Sequence, residues 1–195
     1  MRALSRLTPL LIIMLAASRA HSQEPVRPFD RVDIGLYGAA NVNRNEFHTY
    51  WDAGHAGAID FVTPFYAGRA SLLIRVGRND AVAGAASSGF TSVYAALGWR
   101  AGRTLVHDLR ADIGLHVGIA DFNFSEEAES SVRNELELGT EGSVRADYEF
   151  ATRWHAIAEA SYQVTFTYHR IELAYVSLGL ARTFGAPGWI RGVLE

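Results

Sequence analysis

The chain of 195 residues contains no cysteine. That excludes a disulfide framework, an iron–sulfur cluster, a cysteine nucleophile and a cysteine-ligated zinc site. It also contains no lysine, so all 18 basic residues are arginine. Charge of one sign is scarce as well. A net charge of −3 and a pI near 6.2 give no basic stripe of the kind a nucleic-acid binder carries, and no nucleic-acid partner is expected. Beyond the N-terminus there is no long apolar run. A mean hydropathy of +0.02 is too low for a helical membrane protein, whose spans need about 20 apolar residues each. The length suits one domain and leaves no room for a second.

What is present begins with an address. Met1 to about Ser22 reads as a secretory signal peptide, with Arg2 and Arg6 as its positive region and Leu7–Ala17 as its apolar stretch. That stretch is too short to span a bilayer. Small residues at Ala17, Ser18, Ala20 and Ser22 offer cleavage sites, and no cysteine follows to carry a lipid anchor. Removing Arg2, Arg6 and Arg19 from the 18 basic residues leaves 15 against 21 acidic ones, so the exported chain is moderately acidic. Residues 23–30 (QEPVRPFD), with two prolines, form a linker. Residues 185–195 form a C-terminal tail.

Between them the dominant period is two, the signature of strands. Eight segments are predicted: Arg31–Asn43, Gly57–Phe65, Gly68–Arg78, Phe90–Ala101, Asp108–Phe122, Leu136–Phe150, Trp154–Tyr168 and Glu172–Phe184. No segment shows a convincing amphipathic helix. Short connections at Tyr66–Ala67, Gly102–Val106 and Ala151–Arg153 alternate with longer polar loops at 44–56, 79–89 and 125–135; the last connection, His169–Ile171, is again short. An even strand count with short turns at one rim and long loops at the other describes an all-β, eight-stranded antiparallel up-and-down transmembrane barrel over residues 31–184.

Alternation alone does not separate such a barrel from a soluble lipocalin-like one, in which inside and outside are exchanged. Composition favours the membrane form. One set of positions is apolar, including Leu36, Leu72, Leu97, Leu115, Val144 and Leu178, with Phe65, Trp99, Phe150, Trp154 and Phe184 near the short-turn rim, where an aromatic girdle belongs. The other set combines Asp33, Asp60, Arg69, Arg75, Arg100, Arg110, Asp112, His116, Glu137, Glu141, Arg145, Asp147, Glu149, His155 and Glu159 with glycines and serines. Small residues and arginine–carboxylate pairs suit a narrow interior. A soluble periplasmic barrel with an apolar pocket stays open.

The pattern resembles the small eight-stranded bacterial outer-membrane β-barrels, the OmpA/OmpX-like class, over about Arg31–Phe184. Leu178, Gly179, Leu180 and Phe184 match the last-strand pattern of that class, and two features depart from it: Arg182 places a cation at an outward position, and Phe184 is followed by Gly185–Glu195 where the pattern closes on Phe. The resemblance implies a monomer in the outer membrane of a Gram-negative cell envelope, surrounded by outer-membrane lipids and lipopolysaccharide and inserted by the outer-membrane assembly machinery.

Candidate chemistry is sparse, and no catalytic, cofactor-binding or metal-binding residue is assigned. A lipid A hydrolase or acyltransferase, known among barrels that this chain resembles, would need a serine activated by histidine at the long-loop rim. His169, beside Arg170 and Glu172, has no convincing serine neighbour. His48, Asp52 and His55 match no tight metal spacing, and with Phe47, Tyr50 and Trp51 they are expected in a surface cluster near lipid headgroups. Glu126, Glu127, Glu129 and Glu135 read as a solvated loop that could attract calcium. An interior lattice such as Arg75 and Arg145 with Glu141 and Glu159 would plug the lumen; a narrow channel is the other reading. The expected function is therefore that of a non-enzymatic, porin-like but plugged barrel acting structurally or through its loops.

Overall fold

A computed structural model describes residues 27–43, 47–84, 88–125, 135–166, 171–186 and 188. The signal peptide, His169, Arg170, Glu126, Glu127, Glu129 and most of the tail lie outside these residues.

Eight strands run β1 (Arg31–Asn41), β2 (His55–Phe65), β3 (Gly68–Asn79), β4 (Phe90–Val106), β5 (Leu109–Phe124), β6 (Glu135–Ala151), β7 (Trp154–Thr165) and β8 (Ile171–Gly185). Each pairs antiparallel with the next. β1 pairs with β8 from Arg31↔Gly185 to Asn41↔Tyr175, which closes the barrel and removes both sheet edges. The fold is the eight-stranded up-and-down barrel read from the alternation. Strand ends shift by a few residues. The largest difference is at β4, which continues through Gly102–Val106, a stretch read as a loop, so that the turn is only His107–Asp108. The segment's threonine and valine favour the extended conformation, and its register with β5 shifts between Thr104 and Val106. The short turns bend sharply, with Tyr66 (φ 49°) and Arg153 (φ 67°) in the left-handed region.

One element was not anticipated. Phe47–Tyr50 forms a single helical turn, α1, in the first long loop. It is continued by a bridge from Trp51 to Ala81.

The period of two sorts side chains to two surfaces. Leu36, Leu97, Leu115 and Leu178 point outward and are 63–70% exposed. Trp99, Phe150, Trp154 and Phe184 are exposed near the short-turn rim. A continuous apolar outer surface of this kind is unfavourable in water and suited to hydrocarbon. The charged set turns inward: Arg69, Arg75, Arg100, Arg145, Asp33, Asp60, Asp112, Asp147, Glu141 and Glu159 are all buried. This distribution is the inverse of a soluble barrel's.

The inner surface needs glycine where large side chains cross. A Cβ on Gly98 would collide with the His116 ring, whereas one on Gly38, which faces outward, meets nothing within 4 Å. Gly98→Val is therefore expected to destabilise the folded barrel by about 1–3 kcal/mol through overpacking. Gly38→Val should stay within about 0.5 kcal/mol. Urea unfolding of the two variants in detergent micelles, followed by tryptophan fluorescence, would check the contrast; equal midpoints would contradict it.

Candidate functional site

The lumen holds three tiers of side chains. At the short-turn end, Arg69 pairs with Asp112 and approaches Asp33 at 3.5 Å and Asp147 at 3.8 Å. Arg110 reaches Asp112 at 2.9 Å. His155 Nδ1 donates to Asp147 at 2.8 Å and its Nε2 lies 3.0 Å from the Thr183 hydroxyl, which donates to Asp33 at 2.6 Å. This tier floors an open funnel of about 580 Å³, whose wall includes Arg31, His107, Asp108, Glu149 and Arg153.

The middle tier is sealed from solvent. Arg145 donates to Asp60 and to the Tyr37 hydroxyl, both at 2.7 Å. Arg100 donates to Glu159 at 2.8 Å and to Ser143 at 3.4 Å. Arg75 donates to Glu141 at 2.5 Å and stacks over the Tyr175 ring at 4.5 Å. Each of the three arginines thus has a principal carboxylate partner, and the pairs are cross-linked: Arg145 also donates to Asp147 at 3.3 Å, and Arg100 approaches Asp60 at 3.8 Å. Each charge is buried, so each depends on its partner to offset desolvation.

The expected lattice of Arg75 and Arg145 with Glu141 and Glu159 is present, and it also takes in Arg100 and Asp60. Arg75 and Glu141 do pair. Arg145 and Glu159 face each other in the β6–β7 register, yet they do not form the main pair. Arg145 turns across the lumen to Asp60, and Glu159 takes Arg100, because the inner side chains of a narrow barrel reach the opposite wall as readily as the next strand.

The third tier corrects the reading of a uniformly polar lumen. Toward the long-loop rim the interior becomes apolar, with Leu73, Ala96, Ala120 and Leu173 buried. Above them Phe90 packs on Phe122 at 5.5 Å and on Phe124 at 5.6 Å. Phe47 and Trp51, placed by sequence at the headgroups, instead fold inward. Trp51 meets Phe90 edge-on at 5.3 Å and Phe47 at 5.2 Å. Trp51 Nε1 donates to the Ser88 carbonyl at 2.9 Å, which fixes its depth. Burying aromatic area is the physical reason: these rings gain more inside than at a wet surface. The i, i+4 spacing of Phe47 and Trp51 places both on one face of a helical turn, but the direction in which that face points is set only by the closed barrel.

The candidate metal residues do not converge. His48 bonds to the Asn43 carbonyl, and His55 opens β2 on the exposed side. Among the described residues no group of three His, Asp or Glu side chains is placed to hold a metal ion.

One contact escaped the search for serine–histidine pairs. Ser71 Oγ on β3 and His116 Nε2 on β5 lie 2.9 Å apart in a hydrogen bond, 45 positions apart in sequence. Glu141 Oε1 stands 3.9 Å from His116 Nδ1. That exceeds a hydrogen bond, and the other carboxylate oxygen of Glu141 holds Arg75. All three residues are buried in the lumen, so this set has triad composition without triad geometry or substrate access.

With this interior in view, comparison with known proteins is informative. No family model matches the chain, and no curated protein matches it. Among solved structures, the chain is similar to the crystal structure of Neisserial surface protein A, at 9% identity and TM-score 0.58, over 79% of this chain and 96% of that one. It is also similar to the N-terminal β-barrel domain of Pseudomonas aeruginosa OprF, at 15% identity and TM-score 0.51, over 81% of this chain and all of that domain. The fold is that of the small eight-stranded outer-membrane barrels. At these identities the likeness is one of architecture.

The tiers give a direct test. Glu141→Leu leaves Arg75 buried and unpaired, and is expected to cost about 3–5 kcal/mol. Arg75→Met combined with Glu141→Leu should recover most of that loss. Urea midpoints of the folded variants would decide it, and a double variant no more stable than the single one would contradict the pairing.

Proposed function

We propose that the chain is a non-enzymatic outer-membrane barrel with a closed lumen, which acts as a structural component of the envelope or through its long loops. The observation that carries this reading is the interior. A cross-linked arginine–carboxylate tier lies beneath a cap of Phe47, Trp51, Phe90, Phe122 and Phe124, leaving side chains where a pore would need water. The long loops are the part of such a barrel that reaches the cell exterior, and the short turns face the periplasm. The apolar outer belt with its aromatic rim supports residence among outer-membrane lipids and lipopolysaccharide. The leader-like N-terminus, Met1 to about Ser22, supports export. A strand closing on Leu178, Gly179, Leu180 and Phe184 supports insertion by the outer-membrane assembly machinery. Closure of β8 on β1 within one chain supports a monomer.

The protein should fractionate with the outer membrane and migrate faster unheated than boiled. Purified and reconstituted in planar bilayers, it should give no steady conductance. A stable open level would overturn the closed-lumen reading. An altered lipid A acyl pattern on expression would overturn the non-enzymatic one.

A further inference from the structure

Arg182 is the one departure from the last-strand pattern that the closed barrel does not explain. It sits on β8 between Trp154 of β7 and Ile34 of β1, facing outward. The next outward row toward the barrel middle is Ala156, Leu180 and Leu36; toward the rim come Phe184 and Val32. The guanidinium stands over the Trp154 ring at 5.2 Å and over the Phe184 ring at 5.3 Å. Among the described residues no carboxylate lies within ion-pair distance of it.

An arginine on the lipid face costs about 2–4 kcal/mol at the bilayer midplane and about 0–1 kcal/mol near the interface. A Trp and a Phe beside it mark that same interfacial depth. Both rings attract the guanidinium through their π faces. A ring accepts no proton from the N–H fork as an oxygen does, and the geometry of that fork suits two oxygens of one phosphate. Leu180, Leu36 and Ile34 alongside supply the apolar wall that acyl chains would follow.

We propose that Arg182, held by Trp154 and Phe184, binds the phosphodiester of a glycerophospholipid in the leaflet beside the short-turn rim. This rests on the outer-membrane reading above, in which that rim faces the periplasm. The site takes one lipid headgroup at the β7–β8–β1 sector of the barrel. The row of Leu180 and Leu36 above it sets the depth at which the phosphate sits.

Native mass spectrometry of the folded, delipidated barrel with added phosphatidylglycerol tests it. The wild-type protein should retain one lipid that Arg182→Gln binds about fivefold more weakly, the loss of one interfacial cation. Arg182→Lys keeps the charge without the fork and should fall between them, which decides the matter should glutamine not be tolerated. Inorganic phosphate should not displace the lipid. Equal retention by wild type and either variant, no retention by wild type, or displacement by phosphate would each overturn the proposal. Insertion into liposomes, read by heat-modifiable mobility, is measured alongside. A wild-type protein that does not insert would sink the membrane reading itself, whereas insertion with unchanged lipid retention would sink only the Arg182 site.

Discussion

Closing eight strands on themselves leaves an interior that only side chains can fill, and every inward position of this chain answers to that restriction. A charge placed there has no bulk solvent to stabilise it. It must find a partner across the lumen or not be there. The arginine–carboxylate tier of Arg75, Arg100 and Arg145 with Glu141, Glu159 and Asp60 follows from this condition. So does Gly98, which yields its volume to His116. The absence of lysine acquires a physical sense here. A guanidinium fork serves separate acceptors through separate nitrogens, as Arg145 serves Asp60 and Tyr37 through Nη1 and Asp147 through Nη2, and a lone ammonium would satisfy such a site less completely.

The same restriction divides the interior by depth. Near the short turns the charges are only partly enclosed and form the funnel floored by Arg69, Asp112 and Asp147. At mid-barrel they are fully enclosed and matched. Toward the long loops the fully buried side chains of the described residues are uncharged, and rings pack there beside Asn79, Gln163 and Thr165. A barrel with charge at one end of its interior and aromatics at the other is polarised along its axis, which suits a molecule whose two rims face different compartments. The first loop is tied to the second by hydrogen bonds as well as by packing: Val82 N–H donates to the Tyr50 carbonyl at 3.0 Å, Asp52 N–H to the Asp80 carbonyl at 2.9 Å, and the Trp51 indole to the Ser88 carbonyl at 2.9 Å.

Strand direction and face were legible in the sequence because a period of two is a local property, and eight such runs leave few ways to close a sheet. Tyr66–Ala67 carries the same local information, whereas the β4–β5 turn at His107–Asp108 does not, because Gly102–Val106 before it has the composition of a loop and is held extended by pairing with β5. Partners across the lumen were not legible. Arg145 and Glu159 oppose each other on neighbouring strands, but side-chain length lets Arg145 reach Asp60 on the far wall. Ser71 and His116 sit on strands that are not neighbours and meet only because the barrel is narrow. Phe90 and Phe122 share the inward phase of Ser92 and Ala120, so the cap could have been read from parity. What was missing was the inward fold of Phe47 and Trp51, which depends on a hydrophobic void that exists only after closure.

The ion pairs also set an order of events. Arg100 and Glu159 are 59 positions apart, Arg75 and Glu141 are 66, and Arg145 and Asp60 are 85. Loop-closure entropy opposes all of these contacts until the intervening strands are in register. An incompletely zipped sheet would expose six unpaired charges to the membrane interior. Insertion therefore gains nothing from a half-built barrel, and the lattice acts as a latch that makes assembly all-or-none.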